Sequence, residues 1–134
     1  MTDKEKHINY WEMTAIDDID ATAYLFNGRK YTQSLFFAHL SLEKMLKAHW
    51  VKDNAGNIPP RTHNLMYLFE RTQLELSEEE ADFLQMMNIY QIEGRYPEYM
   101  TYLHDTTEES ETANILSQTK QLFECLQNKL RLTL

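Results

Sequence analysis

A chain of 134 residues has room for one sizeable hydrophobic core, so a single domain over 1–134 is expected. Acidic residues outnumber basic ones 21 to 13, and the formal charge of -8 excludes DNA coating while leaving room for a local basic site. A hydrophobic content of 43% supports a packed core, and only three Gly and three Pro are too few for the turns of a β-sandwich or barrel, so composition points to an all-α fold.

In chain order, Trp11, Ala15, Ile19, Thr22 and Phe26 recur at helical spacing, with Asp17, Asp18 and Asp20 between them. A helix from about Tyr10 to Phe26 is predicted, stopped at Asn27-Gly28, a pair that tolerates left-handed backbone. A second helix from about Arg29 to Lys52 is more apolar: Tyr31, Leu35, Ala38, Leu42, Met45 and His49 form one stripe, which Phe36, Phe37, Leu40, Leu46 and Trp50 widen beyond one face. It is either the centre of a bundle or shared between the core and a subunit interface, and the shared role, with a homodimer formed through this helix, is expected. Asp53 to Pro60 is dense in turn formers and reads as a surface loop.

A short third helix is predicted over Thr62 to Thr72, with Thr62 as N-cap and Leu65, Leu68 and Phe69 buried. Ser77-Glu78-Glu79-Glu80 is a capping box opening a fourth helix that runs to Gly94 with Leu84, Met87 and Tyr90 inward. From Gly94 to Thr106 the helical period is lost while three tyrosines, an Arg and a His remain, the composition of a functional loop. Thr106-Thr107-Glu108-Glu109 forms a further capping box, and Ala113, Leu116, Thr119, Phe123, Leu126 and Leu130 carry a last helix. The architecture expected is an up-and-down four-helix bundle with an additional short helix.

Several chemistries lose support at once. No Glu has a His three residues later, as a dinuclear carboxylate bundle needs, and the glycines at 28, 56 and 94 are isolated, so no phosphate loop is present. The single Cys125 excludes an internal disulfide and a cysteine-rich zinc cage, and it reads as a small buried hydrophobe. His39 and Glu43 lie four apart, but a lone pair falls short of the three or four ligands a metal needs; no metal and no cofactor are expected. Neither the charged Met1 to His7 segment nor any later stretch reads as a signal peptide or a membrane span, so a cytoplasmic setting is expected.

Glu43 and Lys47 have the spacing of a helix ion pair on a solvated face, while Lys44 and Lys47, three apart, could offer charge to a phosphate with Arg95 adding a bidentate fork. His63, at the entrance of the third helix, suits a capping or core-edge role as well as a polar contact to ligand.

The order of these pieces carries a resemblance: Tyr10-Trp11, then Phe37-Ala38-His39-Leu40-Ser41-Leu42-Glu43-Lys44-Met45-Leu46-Lys47-Ala48, a Pro-containing loop, His63-Asn64-Leu65, and Arg95-Tyr96-Pro97. Over roughly residues 10 to 130 the chain resembles the HEPN family, named for higher eukaryotes and prokaryotes nucleotide-binding. The resemblance implies a helical bundle that usually dimerises, similar to the substrate-binding domain that accompanies small nucleotidyltransferases. Members often form a two-component module with a minimal nucleotidyltransferase, in several cases a toxin with its antitoxin, and many are metal-independent ribonucleases.

The ribonuclease branch pairs an Arg with a His after four to six intervening residues, whereas here eight residues separate Arg95 from His104. That motif is absent as written, so enzymatic activity is left open. Two second-helix positions that are commonly glutamine in relatives are His39 and Leu40 here.

The reading that results is a HEPN protein binding a nucleotide or an RNA end beside a minimal nucleotidyltransferase. Lys44, Lys47 and Arg95 would meet phosphate, Tyr96 would stack on a base and His63 would add a polar contact. The alternatives are a ribonuclease using His104 as general acid or base and Arg95 to stabilise phosphorane charge, or a non-catalytic helical interaction module.

Overall fold

A computed structural model of the chain describes residues 1–91 and 107–132, and all regular structure among them is helical. The elements are α1 (Asp3–Asn27), α2 (Tyr31–Asp53), α3 (Leu65–Phe69), α4 (Glu78–Met87), a 3-10 turn at Asn88–Tyr90, and α5 (Glu109–Leu132).

α1 begins a full two turns before the predicted start. Thr2 accepts a hydrogen bond from the Glu5 backbone while the Glu5 side chain accepts from the Thr2 backbone, a capping box that the Thr-x-x-Glu spacing already contained. At its other end Lys30 N donates to Leu25 O and Arg29 N to Phe26 O, at 2.8 and 3.0 Å, which closes a Schellman turn. The left-handed residue of that turn is Arg29, with φ of 59°, and not Gly28, whose φ is -84°. The stop is where the sequence puts it, but the strained position lies one residue later.

α1 and α2 form an antiparallel hairpin. The inner stripe of α1 is Ile8, Glu12, Ala15, Asp18 and Thr22, so two acidic side chains face inward where the sequence suggested an outer acidic face. Each has a counterion. Glu12 accepts from Gln127 and pairs with Arg131 of α5 at 3.0 Å, and Asp18 pairs with Lys44 of α2 at 2.7 Å. These contacts at the C-terminal end of α5 lay it antiparallel to α1.

α2 is the centre of the bundle. Leu35, Leu42, Met45, Leu46, Ala48 and Val51 are buried, as are the polar Ser34, Ser41, His39, Glu43, Lys47 and His49. The chain itself covers nearly the whole helix, with Phe37 and Leu40 only partly exposed, because α1, α3 and α5 all pack on it. At 0% exposure, side chains such as Leu42 and Leu46 each contribute roughly 1.5–3 kcal/mol of transfer free energy.

The loop after α2 is braced by α1. Lys4 Nζ donates to Val51 O, Asn54 O and Gly56 O at 2.6, 2.8 and 3.0 Å, satisfying one carbonyl of the last helical turn and two of the loop that follows. α3 is shorter than predicted and is capped by Asn64, which accepts from Tyr67 N at 3.1 Å; Thr62 instead accepts from Asn64 N in a local turn. Thr62 N itself donates to Pro60 O at 2.9 Å, so Thr62 sits in a tight turn ahead of the helix and the cap falls two residues later. The Ser77–Glu80 capping box opens α4 as predicted, but α4 ends at Met87 and the 3-10 turn takes over, burying Leu84, Met87 and Tyr90. Gly94, Thr106 and the loop between them lie outside the described residues.

Candidate functional site

One side chain organises the polar interior. Glu43, 3% exposed at mid-α2, lies on the same stripe as His39 and Lys47 because steps of four return to one helix face. Its Oε2 accepts from Lys47 Nζ at 3.0 Å, and its Oε1 accepts from His63 Nδ1 at 2.9 Å. A carboxylate only accepts, so the Nδ1 of His63 carries the proton in this contact. His39 Nδ1 stands 3.9 Å from the same Oε1.

The surroundings set the charges. The ammonium of Lys47 lies 5.2 Å from the ring centre of Trp11, whose face supplies a second favourable contact for a buried cation. Burial pushes the His39 imidazole down from 6.5 to about 4, with Glu43, the His63 backbone and the Asn88 side chain only partly opposing it, so His39 is neutral at physiological pH. Glu43 and Lys47 therefore balance one another, and protonation of His63 would give the group a net positive charge.

His63 is where this group reaches water: its side chain is 34% exposed, against 4% for Glu43. Two contacts of Asn88 hold the corner there. Asn88 Oδ1 accepts from Leu65 N at 2.8 Å, and Asn88 Nδ2 donates to Asn64 Oδ1 at 3.3 Å, tying the His63-Asn64-Leu65 corner to the 3-10 turn.

The sequence-derived site residues fall into three groups. Lys47 and His63 meet at Glu43. Lys44 points instead toward α1, where it pairs with Asp18 through an ionic contact whose angle falls outside hydrogen-bond geometry. Arg95, Tyr96 and His104 lie outside the described residues. Glu43 and Lys47 have the ion pair that their spacing suggests, but it is buried, because α1, α3 and α5 all pack on α2.

His49 and Cys125 play other parts. His49 Nε2 donates to Leu126 O at 2.8 Å, which fixes its tautomer and joins α2 to α5, and burial lowers its pKa to about 4. Cys125 is partly exposed and its thiol is pushed up by burial and by Glu80, the opposite of what a nucleophile needs. Among the described residues no three of His, Cys, Asp and Glu are grouped to hold a metal ion, and no helix is long and apolar enough to cross a membrane.

Sequence reasoning missed the inward carboxylates Glu12 and Asp18 and the role of Trp11 beside Lys47. The His39-x3-Glu43-x3-Lys47 spacing was a usable signal: three polar groups on one stripe of a helix with no solvent face must satisfy one another or a loop residue.

The family model of the HEPN domain matches residues 8–129. Comparison with curated proteins and with solved structures returns no match. The match spans α1 through most of α5 and contains every residue of the Glu43 group, and the chain belongs to the HEPN domain family.

Proposed function

We propose that the chain binds a nucleotide or an RNA end at the mouth of the Glu43 group. His63 and Lys47 supply the first positive charge, Lys44 and Arg95 add phosphate contacts, and Tyr96 stacks on a base. The protein acts in the cytoplasm as a homodimer, beside a minimal nucleotidyltransferase in a two-component, toxin-antitoxin-like module. Membership of the HEPN family supports a nucleotide- or RNA-related function. The observation that carries the reading is that a buried carboxylate holds the partly exposed ring of His63 by its Nδ1, 2.9 Å away, with the ammonium of Lys47 behind it.

The physical argument is preorganisation. A phosphate arriving at His63 favours the imidazolium, and Glu43 already stabilises that form, so the ring need not reorient on binding. Lys44 contributes less, since a phosphate must compete with Asp18 at 2.7 Å for its charge.

Calorimetric titration of adenosine 5′-monophosphate into wild type, Arg95→Ala and Lys44→Ala tests the assignment. Weakening by roughly tenfold or more is expected for Arg95→Ala, on the scale of a charged hydrogen bond, and a smaller loss for Lys44→Ala. Equal affinity in Arg95→Ala removes that residue from the site, and no binding by wild type removes the reading.

A further inference from the structure

Beside the Glu43 group, α1 and the loop after α2 enclose a pocket of about 560 Å³ to which Lys6, His7, Tyr10, Trp11, Ile58 and Pro59 contribute. The four α1 residues share one face by helical spacing, and the loop residues close the other side. Tyr10 and Trp11 meet edge to face, with centroids 5.2 Å apart and planes at 77°, so the exposed ring of Tyr10 is braced by a partly buried one. Trp11 also carries the ammonium of Lys47 on its ring. The pocket and the Glu43 group therefore share a wall.

Two properties distinguish this pocket from ordinary surface. Two large apolar side chains meet in water there, Tyr10 at 59% and Ile58 at 75% exposure, beside the partly covered Trp11 and the buried Pro59. Its walls are nevertheless fixed: the three carbonyl contacts of Lys4 pin the loop to α1, and Asn57 Nδ2 donates to Asp3 Oδ2 at 3.3 Å. A loop tied down this firmly holds Ile58 outward instead of letting it fold away.

We infer that this pocket takes the base of the bound nucleotide, stacked on Tyr10 and flanked by Ile58 and Pro59, with Lys6 and His7 at the rim. The inference rests on the nucleotide reading above and adds to it, beside the role given to Tyr96, a second ring surface and an apolar pocket for the base. A flat aromatic base suits the site because every base offers a π-face to an aromatic platform, and because the aliphatic edges of Ile58 and Pro59 give apolar contact without demanding a particular base. The larger groove between α1 and α5, about 840 Å³, begins at Ile16, beyond the stretch of α1 that meets the Glu43 group.

Adenosine 5′-monophosphate and ribose 5-phosphate, titrated into the full chain, separate base from phosphate binding. Wild type is expected to prefer the nucleotide by about fivefold or more, the factor that one stacking contact supplies. That preference should collapse in Tyr10→Ala and shrink in Ile58→Ser, both exposed positions whose substitution leaves the core intact, while His63→Ala weakens both ligands alike. Tighter binding of a 5′-phosphorylated tetranucleotide than of the mononucleotide would identify an RNA end as the source of the base.

Equal affinity of wild type for the two small ligands overturns the base site and leaves the phosphate site standing. A preference that survives Tyr10→Ala but is lost in Tyr96→Ala also overturns it, placing the base elsewhere. Binding of neither ligand removes the site and the nucleotide reading together.

Discussion

Replacing Glu43 by Gln keeps the shape and an acceptor for His63 but deletes the charge facing Lys47, whose ammonium lies 3.0 Å away with its side chain only 9% exposed. Removing one partner of a buried ion pair costs about 3–5 kcal/mol, against about 0.3–0.5 for an exposed pair at the same helix spacing. The face of Trp11 continues to stabilise the ammonium, so the expected cost is near 3 kcal/mol, the lower end of that range. Lys47→Met leaves the buried Glu43 carboxylate with the N–H of His63 but without its ammonium partner, and should cost a similar amount. The double variant strands neither charge, so its loss should be no larger than either single one, giving a coupling energy of at least about 3 kcal/mol. Urea unfolding at pH 7, followed by circular dichroism, reads all four proteins, and a repeat in 1 M salt should leave the coupling largely unchanged because a buried pair is weakly screened. Single losses below about 1 kcal/mol that add within about 0.5 would refute the buried-pair argument and return Glu43 and Lys47 to a solvated face.

Two further outcomes follow from the interior and from the hairpin turn. His39 and His49 are pushed from 6.5 to about 4 chiefly by burial, so between those values the unfolded chain binds protons that the folded one does not, and stability rises with pH through that window. It should be fully present above about pH 6.5 and fall by about 2 kcal/mol per histidine on going to pH 5; a flat urea profile from pH 7.5 to 5 would contradict the burial of both rings. Arg29→Gly relieves a left-handed residue at φ 59° and should raise stability by about 1 kcal/mol in the same assay, whereas a loss would show that the Arg29 side chain makes a compensating contact.

Much of the fold could be read from spacing alone. The apolar stripe of α2 and the Ser77–Glu80 box placed two helices correctly because burial and capping are local in sequence. Thr2 to Glu5 carries the same kind of signal and was passed over, since polar residues follow it until Ile8. The inward turn of Glu12 and Asp18 was not legible, because what permits it is the distant Arg131 and Lys44. Residue types at the candidate site were legible too, but their grouping was not: Lys44 and Lys47 are three apart in sequence and have different carboxylate partners, Asp18 and Glu43. His63 reaches Glu43 from a loop whose corner is held by Asn88, a contact across 23 residues that no helical periodicity encodes.

The most direct test is the ring signal of His63 in a nuclear magnetic resonance titration with adenosine 5′-monophosphate at neutral pH, assigned by its absence in His63→Ala. The account predicts that this signal moves, saturates at the dissociation constant found by calorimetry, and leaves the buried rings of His39 and His49 in place. Calorimetric binding with the His63 signal unmoved, or no binding at all, would contradict it.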